Sequence, residues 1–232
     1  PRLRDRQAPR EEDVKIALLG NFRVPYTSES HHAKSLEALG HTVQRLQETE
    51  ANAAQIARAC RTVDLFIWVH THSWRTPDIE PALSYATKRG IPVITYHLDL
   101  WMGLDREKDM RRDPYWNVLT DFFTCDKLMA EHLTENTKIK GHYLPPGVFG
   151  EECYIAKPTK RFDTVFVGSY PYHHEWPYRP KLIDWCKETY GDRFKHFGNG
   201  GLPTVRGADL NQVYANAKVA VGDSLCKNFD YP

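Results

Sequence analysis

In this 232-residue chain, histidine and carboxylate side chains stand where short apolar runs end. His70 and His72 close the run at 64–69, and His97 and Asp99 close the run at 91–96. A neutral imidazole carries one donor and one acceptor, which suits a hydroxyl-rich ligand. Asp99, two residues beyond His97, could accept from a hydroxyl on the same side. The competing reading is a histidine packed at a strand end and a solvated carboxylate, and both readings stay open. Gly20-Asn21 ends the first run, and a residue without Cβ lets backbone N–H groups approach a phosphate or sugar. A plain tight turn would use the same pair. No G-x-G-x-x-G follows, so a dinucleotide fingerprint is not expected.

A second group of polar residues lies further on. Gly168-Ser169 ends another apolar run and is followed by Arg179 and Lys181, which could neutralise a diphosphate without a metal, Arg with its planar fork. Charges on a helix N-terminus are the plainer reading. Trp74 and Trp101 flank the histidine-bearing strand ends and could stack on a sugar ring, although large aromatics also fill cores. Metal binding is not expected. His31-His32 and His173-His174 are adjacent pairs whose side chains diverge, and His70 and His72 have no third ligand at suitable spacing.

These residues need a scaffold that brings strand ends together. The runs at 14–19, 64–69 and 91–96 are short and rich in β-branched or aromatic residues, as buried parallel strands are. Between them, Ala53, Ile56, Ala57 and Cys60, then Ile79, Ala82, Leu83 and Ala86, recur at helical spacing. A helix capped by Ser28 or Ser30 and stopped by Gly40, and a strand at 42–46, complete the rhythm. Strands at 121–125 and 140–144 flank a helix that starts near Asp126. After Pro145-Pro146 the periodicity lapses, and it returns with a strand at 164–167, a helix at 181–190, a strand at 194–197, a helix through Leu210 and Tyr214, and a strand at 218–221. Strand and helix alternation predicts an α/β protein, with ligands beyond the carboxyl ends of the strands.

Composition narrows the classes. Thirty-one basic against 30 acidic residues give no field for non-specific nucleic-acid binding. Apolar runs of about five residues are far below the ~20 that span a bilayer, and the charged start has no apolar signal core. Five scattered cysteines without C-x-x-C spacing read as structural thiols in a reducing compartment, so a cytoplasmic location is expected.

Taken in order, several segments carry a family resemblance: Asp64-Leu65-Phe66-Ile67-Trp68-Val69-His70-Thr71-His72, Pro92-Val93-Ile94-Thr95-Tyr96-His97, Tyr143-Leu144-Pro145-Pro146-Gly147-Val148, Val165-Phe166-Val167-Gly168-Ser169 and His196-Phe197-Gly198-Asn199. Together they resemble glycosyltransferases of the GT-B fold, in particular the glycogen-synthase-like retaining group and its CgeB-like relatives. The resemblance implies two tandem Rossmann-like domains: a lead-in at 1–13, an acceptor-side domain at 14–147, a linker at 148–162 and a partial donor-side domain at 163–232. It implies retaining, metal-independent transfer of a sugar, of the hexosyltransferase class, with a nucleotide-sugar donor as substrate and no cofactor. His97 and Asp99 would be catalytic; Gly20, Asn21, Gly168, Ser169, Arg179, Lys181, Gly198, Asn199 and Ser224 would bind the donor; His72, Trp74 and Trp101 would bind the acceptor. The acceptor is left open between small molecule, lipid, protein and modified nucleic acid. The family's acidic donor motif would follow Pro232, so the natural chain is expected to continue. The competing functions are a nucleotide-sugar epimerase of the same fold and a non-catalytic nucleotide- or sugar-binding module.

Overall fold

The computed structural model describes residues 13–70, 76–105, 107–108, 118–119, 121–171 and 177–223, His70 by its backbone alone. The chain divides into two compact units that part after Pro146, with the short stretch Gly103–Asp105 grouped with the second. Each is an α/β unit built on a parallel sheet.

The first unit runs β1 (Lys15–Gly20), α1 (Ser28–Ala38), β2 (Thr42–Gln47), α2 (Ala53–Ala59), β3 (Leu65–His70), α3 (Ile79–Lys88), β4 (Val93–His97), β5 (Asp121–Thr124), α4 (Lys127–Asn136) and β6 (Lys140–Tyr143). The sheet order is β2-β1-β3-β4-β5-β6, parallel throughout. Alternate residues of each strand serve opposite faces. Ala17, Leu19, Phe66, Trp68, Val93 and Phe122 meet Ile56, Leu83, Met129 and Leu133 from α2, α3 and α4 in the main core. Leu18 and Val69 meet Ala33 of α1 on the other face. Burial of each large apolar side chain contributes roughly 1.5–3 kcal/mol.

The helix ends are set by local chemistry. Thr27, not Ser28 or Ser30, caps α1: its backbone is extended and its hydroxyl accepts from the Ser30 N–H at 3.2 Å. Ser28 and Ser30 lie inside the helix, and the Ser30 hydroxyl donates instead to the Val24 carbonyl at 3.1 Å. Asn52 and Gln55 form a reciprocal capping box on α2. Gly40 closes α1 in the left-handed region at φ 97°, where a side chain would be strained.

The second unit runs β7 (Phe162–Val167), α5 (Tyr178–Tyr190), β8 (Phe194–Phe197), α6 (Gly207–Asn216) and β9 (Ala217–Val221), with sheet order β8-β7-β9. β7 begins two residues before the strand expected from the sequence, because Phe162 pairs with Ala217. α5 begins three residues before the expected Lys181, since Pro180 falls in the first turn, where a missing N–H leaves no helical bond unmade. The core is small: Phe166, Ile183, Cys186 and Phe194. Among the described residues no helix is long and apolar enough to cross a membrane.

Candidate functional site

Strand order places a switch point in each unit. In the first, α1 carries the chain from β1 to β2 on one side, and α2 returns it to β3 on the other. Connections leaving in opposite directions open a crevice at the carboxyl ends of β1 and β3. Gly20 and Asn21 lie there. The Gly20 carbonyl accepts from the Glu48 N–H (2.9 Å), and the Asn21 carbonyl accepts from the Thr27 hydroxyl (2.6 Å). Asn21 Oδ1 accepts from the Arg23 N–H at 3.2 Å, and Gln47 Oε1 accepts from the Phe22 N–H at 2.7 Å. Asn21 is thus spent on building the turn.

Sequence reasoning passed over Glu29, in the first turn of α1. It is 7% exposed, and its side chain lies across Gly20: a Cβ on Gly20 would come within 2.5 Å of Glu29 Cγ. Gly20 is required here by that close approach. Among the described residues no hydrogen bond or ion pair engages the Glu29 carboxylate. The legible signal was an acid one turn into the helix that follows a strand ending in glycine.

At the end of β4 the arrangement differs from the expectation. His97 has no exposed surface, and its ring meets Trp101 edge-on with centroids 4.8 Å apart and lies 6.2 Å from Phe122. It shares the sheet face of Val93, whose partners are core residues. Trp101, expected to offer a stacking face, is 1% exposed and fills the main core, so it presents no face to a sugar. Asp126 holds it there. Buried as the cap of α4, Asp126 accepts from the Met129 N–H through Oδ1 (3.0 Å) and from the N–H groups of Trp101 (2.7 Å) and Met102 (2.9 Å) through Oδ2. Asp99 is half-buried on the segment between. His72, Trp74 and Ser224 lie outside the described residues.

The opposite sheet face carries an apolar hollow of about 320 Å³ lined by Leu18, His32, Ile94, Tyr96, Phe123 and Leu144. His32 stacks obliquely on Tyr96 at 5.0 Å. Burial, with the nearby His31 second, holds its pKa below the ordinary histidine value.

In the second unit β7 lies between β8 and β9, so its switch point falls between β7 and β9. Gly168-Ser169 and Gly222-Asp223 end these strands. Gly198, ending β8 at φ 130°, approaches so closely that a Cβ would run into the Gly168 carbonyl. That carbonyl accepts from His196 Nε2 at 2.8 Å, and the Gly168 N–H donates to the Phe197 carbonyl at 2.8 Å. Asn199 is exposed and its carbonyl accepts from the Tyr170 N–H at 2.7 Å.

Arg179, at the start of α5, reaches this switch point. Its Nε lies 2.9 and 2.8 Å from the two Asp223 oxygens, and the side chains are only 13% and 10% exposed. The guanidinium lies over the Phe166 ring at 5.6 Å. Arg179 was expected, with Lys181, to neutralise a diphosphate; Asp223, which sequence reasoning missed, already balances it, as a largely buried guanidinium requires. Lys181 points elsewhere: it is exposed, with Nζ 5.7 Å above the Tyr178 ring. Among the described residues no three metal-ligating side chains converge.

No protein-family model matches the chain, and no curated protein matches its sequence. Among solved structures it is similar to one titled "Crystal Structure Analysis of the Glycotransferase of kitacinnamycin", with a TM-score of 0.44 and 13% identity over 90% of this chain and 71% of that one. A likeness of that strength decides neither family nor reaction.

Proposed function

We propose that the protein is a glycosyltransferase of the GT-B type that moves a sugar from a nucleotide-diphosphate donor to an acceptor. The supporting observation is two successive parallel α/β units, each with glycine at a switch point, in the order that the sequence resemblance implies. In this reading the first unit serves the acceptor and the second the donor. Gly168 and Gly198 leave the strand ends free of side chains, and Ser169 and Asn199 beside them meet the nucleotide sugar. Arg179 supplies the positive charge that stabilises the departing diphosphate, with Asp223 fixing the plane of its fork, and no metal takes part. His97, buried against Trp101, acts on the segment carrying Asp99 rather than on the sugar itself.

A binding module without transfer is the second reading. The engagement of Arg179 by Asp223 and the enclosure of His97 favour it.

The test is release of nucleoside diphosphate from a panel of nucleotide sugars, with and without candidate acceptors. Turnover that falls at least about tenfold in Arg179→Ala, with folding retained, supports the transferase reading. Binding of a nucleotide sugar without turnover would establish the module, and neither binding nor turnover would sink both.

A further inference from the structure

We infer that the switch point of the first unit takes a hydrogen-bond-donating group, a sugar hydroxyl or an ammonium, and excludes phosphate, with Glu29 as the residue that reads the difference. A glycine turn leading into a helix ordinarily suits an anion, because free N–H groups and the helix dipole favour negative charge. Here that role is filled from within. Glu29 places a carboxylate in the first turn of α1, across Gly20. The Ser30 N–H, which an anion would otherwise claim, is taken by Thr27.

What remains is acceptor capacity. Glu29 is more than nine-tenths buried, and among the described residues nothing donates to its carboxylate. Its oxygens are not among the fully buried unpartnered atoms, so they reach the crevice surface, where they can accept from a ligand and repel a second anion. The surrounding frame is already built: Asn21, Thr27, Ser30 and Gln47 are committed to one another and to the turn, so they hold the crevice without competing for a ligand. Gly20 and Asn21 therefore belong with the acceptor rather than with the donor diphosphate expected from the sequence.

The inference rests on the transferase reading only in calling the ligand an acceptor; the binding itself does not depend on turnover. Amide chemical shifts of Asn21, Phe22 and Ser30 are followed while the protein is titrated with glucosamine, glucose and inorganic pyrophosphate. The expected result is a saturable shift with at least one sugar and none with pyrophosphate. Tighter glucosamine binding identifies the ammonium as the preferred donor, and equal binding identifies a hydroxyl. Glu29→Gln is expected to weaken the sugar about tenfold, as loss of a hydrogen bond to a charged group does. Glu29→Asp, which withdraws the carboxylate but keeps its charge, is expected to weaken the sugar and still exclude pyrophosphate; it serves where the Gln variant folds poorly. Shifts with pyrophosphate in the unmodified protein, no shift with either sugar, or sugar affinity unchanged in both variants would overturn the inference. Intact sugar binding without transfer would count against the transferase reading alone.

Discussion

His97 shows how residue type and residue environment part company. Its place at a strand end suggested contact with substrate, yet the ring is enclosed between Trp101 and Phe122. Removing an enclosed ring leaves a cavity that its neighbours fill only in part. His97→Ala is therefore expected to lose about 2–4 kcal/mol of stability in urea denaturation. A loss below about 1 kcal/mol would show that the ring is not part of the packed core. The alternation of Val93, Thr95 and His97 on one face was readable from the strand period, but which face would carry α2, α3 and α4, and which α1, was not.

At the scale of elements, the join between β4 and α4 rests on Asp126. One carboxylate caps the helix and also gathers the chain at Trp101 and Met102, 25 and 24 residues away. Asp126→Ala removes the cap and leaves the buried Trp101 N–H and the half-buried Met102 N–H without their acceptor. The expected cost is about 3 kcal/mol, seen in denaturant unfolding. Asp126→Asn is expected to recover part of it, because the amide oxygen still accepts; equal loss in both variants would show that charge rather than geometry does the holding. Asp126 was legible as the start of a helix. Its second role was not, since nothing local signals a partner across the intervening segment.

On the scale of the whole molecule the two units are unequally furnished. Among the described residues the first unit packs a large core on six strands, whereas the second gathers the small cluster Phe166, Ile183, Cys186 and Phe194 and carries a charged clamp across its sheet. Asp163 on β7 accepts from Lys218 of β9 at 2.6 Å and from Arg193 beside β8 at 2.9 Å. The Lys218 hydrogen bond foremost holds its pKa below the ordinary aspartate value of 3.8. The unfolded chain takes up that proton first, so the clamp's contribution is complete above 3.8 and is lost as pH falls below it through the lowered folded value. Hydrogen exchange is accordingly expected to show residues 162–221 opening before 15–143 as acid is added. Asp163→Asn should lessen that acid dependence in the second unit and leave the first unchanged. Simultaneous opening of both units in the unmodified protein would contradict the unequal division.

Residue order was enough to read the alternation of strands and helices, most of their bounds and the positions at which strands hand over to loops. Short apolar runs and helical spacing are local patterns, and the backbone obeys them within a few residues. Tertiary structure alone decided which strand-end residues face open space. Glu29 became notable because it lies across Gly20, and Arg179 changed meaning because Asp223, 44 residues on, meets it. Trp101 left the candidate site because Asp126 draws it inward. Each outcome depends on strand order, which brings distant segments to one edge of a sheet, and strand order follows from how faces are buried rather than from any spacing along the chain.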